Sequence, residues 1–172
     1  MEQVYVSAGA NIAPEANIAR ALQLLSRSAT LTGLSSFYRT PAIGRPEQPE
    51  YLNGVVRLET ELLPMRLREV LRAVEHAIGR VRTKDAWAPR PIDLDILLYG
   101  QTVISGDGLE IPDPDITRRP FLAAGLLELD PALRLPGEQR ALAQWTDPDA
   151  IAALKKDAAF THHLKESLFH EP

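Results

Sequence analysis

Two aspartates lie inside an apolar stretch, and no other feature of this sequence constrains the fold as strongly. Residues 90–98 read RPIDLDILL, and the aliphatic side chains around Asp93 and Asp95 predict a buried strand. In a strand, residues two apart point to the same face of the sheet. Because two neighbouring carboxylates repel each other and resist burial, the pair needs a positive partner, either a divalent cation or arginine.

Length and composition narrow the class of protein. A chain of 172 residues predicts a single domain over residues 1–172, and a net charge of -4 disfavours nucleic acid as a partner. The absence of cysteine excludes disulfides, thiolate catalysis and cysteine-ligated zinc. The sequence shows neither a signal-peptide pattern nor a membrane-spanning apolar run. We expect a cytoplasmic protein that binds neither nucleic acid nor membrane.

Helix and strand patterns alternate along the chain. The predicted strands cover residues 4–8, 34–38, 51–62 and the aspartate-bearing segment up to Gly100. The predicted helices begin at Pro14, at Pro64 and at about Arg118. This order favours an α+β fold, a ferredoxin-like sandwich with a mixed, mainly antiparallel sheet and helices packed on it. The tail, about residues 137–172, is predicted to be a helical extension.

The sequence contains no glycine-rich phosphate loop, neither GxxxxGK[ST] nor GxGxxG after a strand. A nucleotide would therefore have to be held by arginines and metal. Arg80, Arg82 and Arg90 precede the aspartates, and Arg119 follows them. Arginine offers a planar fork of donors that suits phosphate oxygens, so this surrounding set favours phosphoryl transfer. A structural cluster of salt bridges is the alternative.

Three aromatic residues have two interpretations each. Trp87, Tyr51 and Phe121 either anchor loops and core or form walls for a flat heterocycle. Asn53 lies two residues after Tyr51, on the same face of the predicted strand, and its amide is suited to hydrogen-bond the edge of a heterocycle. The residues alone leave both interpretations open.

Three segments together resemble the 6-hydroxymethyl-7,8-dihydropterin pyrophosphokinase family of the folate pathway. The first joins SSFYRTP at 35–41 with QPEYLN at 48–53. The second joins Glu75 with GRVR at 79–82, and the third is WAPRPIDLDILL at 87–98. The resemblance extends over about residues 4–136 and leaves the tail uncovered.

The resemblance implies an ATP-dependent pterin diphosphokinase. Members of the family transfer pyrophosphate from ATP to the hydroxymethyl group of 6-hydroxymethyl-7,8-dihydropterin and release AMP, in folate biosynthesis. ATP is a co-substrate, and two Mg²⁺ ions bridge its phosphates. Asp93 and Asp95 would be the metal ligands. The expected partners are small molecules, the reduced pterin and ATP, and the expected state is a monomer or weak dimer.

The resemblance also implies a role for each matching residue. The catalytic residues would be Arg80, Arg90, Asp93 and Asp95. The residues that contact the pterin would be Thr40, Pro41, Ile43, Tyr51, Asn53 and Phe121. The residues that bind ATP would be Glu75, Arg80, Arg82, Trp87, Arg90, Ile96 and Arg119. The pterin ring would lie between the Tyr51 and Phe121 side chains, and the loops 9–14, 40–49 and 80–91 would be mobile lids.

Three positions depart from the family's pattern. Ala86 stands where arginine is common, Asp113 where histidine is common, and Ala10 where serine is common. Ala86 removes a phosphate-facing cation, and Asp113 adds an acid near a polyanionic nucleotide. These two residues motivate an alternative hypothesis, a divergent pterin-binding relative with weak activity or a different pterin or nucleotide preference. A third hypothesis is an interaction module whose aspartates only pair with arginines.

Overall fold

Eight strands and five α-helices make up the part of the chain that the structure, a computed structural model, describes: residues 1–170. The end of the predicted tail, Glu171 and Pro172, lies outside the described residues. The strands are β1 (Glu2–Ala10), β2 (Thr30–Leu34), β3 (Tyr38–Thr40), β4 (Tyr51–Thr60), β5 (Asp93–Tyr99), β6 (Ile104–Gly106), β7 (Leu109–Ile111) and β8 (Lys155–Lys156). The α-helices are α1 (Pro14–Leu25), α2 (Pro64–Ile78), α3 (Pro120–Leu129), α4 (Pro148–Ala152) and α5 (Ala158–Phe169).

Two short 3-10 helices, Pro114–Thr117 and Leu142–Trp145, flank α3. None of the helices in residues 1–170 has both the length and the apolar character needed to cross a membrane.

Six of the strands form one sheet in which neighbouring strands are antiparallel. The strand order is β5-β1-β4-β3-β8, and β2 also pairs with β4. The separate strands β6 and β7 form a hairpin. An α+β fold with a mainly antiparallel sheet and packed helices is thereby confirmed. The order β5-β1-β4-β2, with α1 and α2 as the connections, is compatible with the ferredoxin-like arrangement.

The two faces of the sheet carry separate apolar cores. Val4 and Val6 on β1 belong to the core that contains α1, α2 and α5. Tyr5, which lies between them and points to the other face, belongs with Leu97 and α3 to the second core. Because α3 covers only part of the second face, a cavity opens there beside Ser7.

Helix α2 ends at a glycine and so leads the chain into the basic loop 80–91. Pro64 occupies the first turn, where its missing N–H needs no partner. Gly79 has a φ of 108°, which a residue with a Cβ adopts only with strain. The Arg80 N–H donates to the Glu75 carbonyl at 3.0 Å, which completes the terminal turn. The basic loop therefore begins at a fixed point beside β5.

The prediction of one strand over 34–38 is wrong, because the structure has β2 before and β3 after a break at Ser35. The Ser35 N–H donates to the Val55 carbonyl at 2.9 Å, and the Ser35 hydroxyl accepts from the Val55 N–H at 2.8 Å. The next N–H, that of Ser36, donates to the Glu128 carboxylate on α3 at 3.0 Å. A side-chain hydroxyl thus accepts the hydrogen bond that a backbone carbonyl would accept in a continuous strand. The apolar periodicity of the sequence does not predict this change of acceptor.

The prediction of a helical tail over 137–172 is wrong in part. Helices α4 and α5 are present, but β8 lies between them and pairs with β3 at the edge of the sheet. The Asp157 carboxylate caps α5 by accepting from the Phe160 N–H at 3.0 Å. Phe160 packs edge-to-face on the fully buried Phe37, with ring centroids 5.4 Å apart. The tail is therefore part of the packed structure and not an appendage.

We predict that Phe160→Ala lowers the free energy of unfolding by about 3 kcal/mol, because it leaves a cavity beside Phe37. Urea denaturation followed by circular dichroism measures the change. Phe169→Ala on the same helix is the matched control, since Phe169 is 39% exposed and Phe160 is 8% exposed. A change below about 1 kcal/mol is expected for the control. Equally small changes for both variants would contradict the place of the tail in the core.

Candidate active site

A cavity of about 370 Å³ opens on the second face of the sheet, next to the beginning of α3. Ser7, Asn53 and Asp95 contribute to it from β1, β4 and β5. Residues of the loops 40–49 and 80–91 form further parts of its wall. Three neighbouring strands and two loops therefore meet at one concave site, and its volume lies in the range of small-molecule sites.

The two aspartates of β5 both line this cavity, but their partners differ. Asp93 accepts two charge-assisted hydrogen bonds, from Arg80 Nη1 at 2.8 Å and from Arg90 Nη1 at 2.7 Å. Across the described residues 1–170, no arginine or lysine forms an ion pair with Asp95. The protein therefore neutralises Asp93 and leaves Asp95 without a basic partner.

The surroundings of Asp95 disfavour its charged form. The side chain is open to the cavity, while protein surrounds it on the remaining sides. Burial raises the pKa of Asp95 to about 7, and the negative charges of Asp93, Asp113 and Glu75 contribute to the rise. The positive charge of Arg80 acts in the opposite direction. A cation placed beside Asp95 would favour the ionised carboxylate.

A buried carboxylate on α2 positions two of the arginines. Glu75 is 2% exposed and forms ion pairs with Arg80 and, at 2.9 Å, with Arg82. It also accepts a hydrogen bond from the Leu94 N–H at 3.3 Å. Because Arg80 reaches Asp93 as well, one guanidinium connects α2 to the aspartate pair.

The Asn53 amide is held in one orientation on the cavity wall. Its Nδ2 donates to Thr40 Oγ1 at 2.8 Å. The residue opposite Asn53 in β1 is Gly9, and a Cβ at that position would lie 2.1 Å from Asn53 Oδ1. Only glycine leaves room for this close approach. The cavity thus contains a fixed polar group together with the Tyr51 and Phe121 rings.

Contacts between three loops enclose the cavity. The Asn11 N–H donates to the Arg90 carbonyl at 3.0 Å, and the Arg90 N–H donates to Asn11 Oδ1 at 2.8 Å. Gln48 Nε2 donates to the Trp87 carbonyl at 3.0 Å. The Trp87 ring lies against Gly44, where a Cβ would approach it to 3.0 Å. The three loops that the resemblance implies to be lids are therefore in contact with one another.

A protein-family comparison matches this region of the chain. The family model described as 7,8-dihydro-6-hydroxymethylpterin-pyrophosphokinase (HPPK) matches residues 5–131. The matched range includes both aspartates, the basic loop and the central strands of the cavity. The chain belongs to the HPPK family. The resemblance found in the motifs is thereby confirmed.

Curated relatives extend the likeness over most of the chain. A 2-amino-4-hydroxy-6-hydroxymethyldihydropteridine pyrophosphokinase of Haemophilus influenzae is 38% identical over 142 residues, which is 81% of this chain and 88% of the relative. The protein of the same name from Pseudomonas aeruginosa is 38% identical over 139 residues, 79% of this chain and 85% of the relative. The one from Methylorubrum extorquens is 36% identical over 156 residues, 88% of this chain and 98% of the relative.

A solved structure shares the fold. The crystal structure of Plasmodium falciparum wild-type HPPK-DHPS with SDX-DHP aligns with a TM-score of 0.66 over 84% of this chain, at 13% sequence identity. This chain spans 43% of the length of that longer chain. The likeness to it concerns the fold alone.

The main cavity brings together most of the residues that the sequence predicts for the site. Those that line it are Thr40, Pro41, Ile43, Tyr51, Asn53, Trp87, Arg90, Asp93, Asp95, Arg119 and Phe121. Arg82 and Ile96 instead line a neighbouring cavity of about 160 Å³, to which Asp95 also belongs. Glu75 and Arg80 line neither cavity and lie behind the aspartate pair, with side chains 3% and 8% exposed.

Several cavity residues are absent from the sequence prediction. Ser7 lies opposite Asp95 in the pairing of β1 with β5. Arg72 lines the smaller cavity, where burial and then the charge of Arg82 lower its pKa. Leu154 reaches the main cavity from the tail. A lone polar residue in an apolar strand is a signal that points to Ser7, whereas no local pattern distinguishes Leu154.

The aspartate pair suits a Mg²⁺ ion that arrives with other ligands. Within residues 1–170, no group of three or more His, Cys, Asp or Glu side chains is arranged to hold a metal ion. Mg²⁺ commonly takes only one or two protein carboxylates and completes its shell with water and substrate phosphates. Asp93 and Asp95 supply that number of carboxylates, so the residues present fit Mg²⁺ bound together with a phosphate.

We predict that Asp95→Asn stabilises the metal-free protein at pH 8 and that this gain disappears towards pH 4. The folded-state pKa of Asp95, about 7, lies above its ordinary value of 3.8. The free energy of unfolding therefore falls as the pH rises from about 4 to 7, and the whole loss is present at pH 8. Below about pH 4 the carboxyl group is protonated in both the folded and the unfolded state, and no loss remains. After allowance for solvent screening at this open site, the gain at pH 8 is on the order of 1 kcal/mol. Urea denaturation in EDTA at both pH values measures it.

Asp157→Asn is the comparison variant, for which we expect the opposite change in stability at pH 8. The backbone N–H of Phe160, together with Arg39, holds the pKa of Asp157 below its ordinary value. Removing that charge is expected to destabilise the protein at pH 8, and the loss should shrink as the pH falls through the lowered pKa. An Asp95→Asn variant that is less stable than the wild type at pH 8 would contradict this electrostatic description of the site.

Proposed function

We propose that this protein transfers pyrophosphate from ATP to the hydroxymethyl group of 6-hydroxymethyl-7,8-dihydropterin and releases AMP, in folate biosynthesis. The proposal rests on Asp95. Within residues 1–170 it has no basic partner, although the neighbouring Asp93 is paired with two arginines. A divalent cation that brings phosphates supplies the charge that this pair lacks. Membership of the HPPK family supports the reaction class.

The main cavity suits a reduced pterin. Tyr51 and Phe121 offer aromatic surfaces for a flat ring. Because Thr40 holds the Asn53 nitrogen, the Asn53 oxygen is available to accept a hydrogen bond from the ring edge. Ile43 is 53% exposed and lines the same cavity, so a bound ring would cover it. The residues proposed to bind the pterin are Thr40, Pro41, Ile43, Tyr51, Asn53 and Phe121.

The smaller cavity and its junction with the main one suit ATP. Asp95 lines both cavities, so phosphates that pass from one to the other would cross the aspartate pair. Arg90 and Arg119 line the main cavity on that route, and Glu75 contributes through the arginines that it holds. The residues proposed to bind ATP are Glu75, Arg80, Arg82, Trp87, Arg90, Ile96 and Arg119.

The proposed reaction is a direct in-line transfer. The pterin hydroxymethyl oxygen attacks the β-phosphorus of ATP and forms a P–O bond, and its hydroxyl proton is released to solvent. The bond from the β-phosphorus to the oxygen shared with the α-phosphorus breaks, and AMP leaves. Mg²⁺ held by Asp93 and Asp95 would neutralise phosphate charge. Arg80 and Arg90 hold the Asp93 carboxylate between them and so fix the aspartate pair. Orientation and electrostatic stabilisation then supply the acceleration, without a covalent enzyme intermediate.

A second function, that of a divergent pterin-binding relative with weak or altered nucleotide use, is favoured by Asp113 and Ala86. Asp113 lines both cavities, and its charge contributes to the raised pKa of Asp95. Its carboxylate accepts from the Asp115 N–H at 2.8 Å and caps the 3-10 helix. Ala86 lines the main cavity with a methyl group in place of a cation. Both residues weaken the attraction for a polyanion.

We predict that the purified protein, supplied with 6-hydroxymethyl-7,8-dihydropterin, ATP and Mg²⁺, forms AMP and the pterin pyrophosphate in equal amounts. Chromatography that separates AMP from ADP measures the products. Asp95→Asn is expected to lower kcat by at least roughly 100-fold, because it removes a charge that faces the transferring group. Asp107→Asn, the same substitution on the exposed turn between β6 and β7, is the control and should retain wild-type kcat.

The possible products distinguish the hypotheses. ADP alone, or no nucleotide product, would overturn the proposed pyrophosphoryl transfer. Pterin binding without formation of AMP would favour the divergent relative. An Asp95→Asn variant that retains wild-type turnover would favour aspartates with a purely structural role.

Several features stay predictions. They are two Mg²⁺ ions at the aspartate pair, ATP and the reduced pterin as partners with neither nucleic acid nor membrane, a monomer or weak dimer, a cytoplasmic location, and one domain over residues 1–172.

A further inference from the structure

The C-terminal tail contributes a side chain to the main cavity. Leu154 lies between α4 and β8 and lines the cavity together with Ala42 and Leu122. The family model ends at residue 131, so this contact comes from outside the matched range. Ala42 and Leu122 are buried, whereas Leu154 is only half-buried. A partly exposed aliphatic side chain on a cavity wall gains free energy when a ligand covers it.

Backbone pairing fixes the position of Leu154. The two residues that follow it, Lys155 and Lys156, pair with β3 in an antiparallel ladder. The Asp157 N–H continues this pairing by donating to the Phe37 carbonyl at 2.8 Å. Because the ladder begins at the next residue, the Leu154 backbone has little freedom to move away from the cavity.

Side-chain contacts hold the tail on the same edge strand. Arg39 of β3 donates to the Asp157 carboxylate from Nε at 3.0 Å and from Nη2 at 2.7 Å. The same Nη2 donates to Glu15 of α1 at 2.7 Å. Thr161 Oγ1 of α5 accepts from the Phe37 N–H at 2.9 Å. The tail is therefore joined to β3 and the adjacent Phe37 through β8 and the residues that follow it, and, through Arg39, to α1.

The strand that the tail holds also orients a polar group of the cavity. Thr40, the last residue of β3, accepts from Asn53 and sets the direction of its amide. Strand β3 is only three residues long, and a short unpaired edge strand opens readily. Pairing with β8 therefore supports Asn53 indirectly, while Leu154 lines the cavity directly.

We propose that Leu154 contacts the pterin and closes the apolar wall of the main cavity at the edge of the sheet. Its side chain excludes water from the flank of the bound ring and fixes the ring against Tyr51 and Phe121. This inference rests on the proposed function, since the pterin is the ligand assigned to that cavity. It gives the tail a role in pterin affinity and none in nucleotide affinity.

Calorimetry on the 172-residue chain tests the inference, with 6-hydroxymethyl-7,8-dihydropterin titrated in the presence of Mg²⁺ and a non-hydrolysable ATP analogue. Leu154→Ala is expected to raise the pterin Kd about tenfold. The pterin KM should rise in parallel while kcat and the Kd of the analogue change by less than about twofold. Leu154→Met, which keeps most of the volume, should restore the pterin Kd to within about threefold of the wild type.

Leu168→Ala is the matched control, because it makes the same substitution in the tail but against the opposite core. It is expected to lower stability and to leave the pterin Kd unchanged. A Leu154→Ala variant with wild-type pterin affinity, or with equal losses of pterin and analogue affinity, would overturn the inference alone. Absence of pterin binding in the wild-type protein would overturn the proposed function and this inference together.

Discussion

An uneven distribution of positive charge over two neighbouring aspartates governs the site. Asp93 is held between Arg80 and Arg90, whereas no basic side chain within residues 1–170 pairs with Asp95. Burial and three nearby acids raise the pKa of Asp95 to about 7. Folding alone would favour removal of such a group, and the proposed Mg²⁺ would account for its presence on β5.

The rest of the structure maintains this arrangement. The buried Glu75 holds Arg80 against Asp93, which fixes one carboxylate, while Asp95 has no basic partner within residues 1–170. Gly9 gives Asn53 the room to lie across β1, so the polar group of the proposed pterin subsite depends on the absence of a single methyl group. Hydrogen bonds between the loops then enclose the volume above the aspartates. Side-chain packing on β1, β4 and β5 thus places the two aspartates and Asn53 on the wall of one enclosed cavity.

Some features of the site can be predicted from the sequence, and others cannot. The common face of the aspartates follows from RPIDLDILL, because strand alternation determines where side chains point. The same sequence pattern does not predict which aspartate the arginines neutralise. That choice depends on Glu75 of α2, which holds Arg80 against Asp93. The position of Leu154 does not follow either. It depends on long-range pairing of β3 with two lysines, residues that have low strand propensity, and no local pattern encodes that pairing.

A complex of the protein with Mn²⁺, a non-hydrolysable ATP analogue and 6-hydroxymethyl-7,8-dihydropterin tests whether both aspartates bind the metal. Anomalous diffraction from such crystals identifies Mn²⁺ and its ligands. We expect Mn²⁺ bound to carboxylate oxygens of both Asp93 and Asp95, about 2.1 Å from each. An arginine paired with Asp95, and metal bound elsewhere, would contradict this expectation.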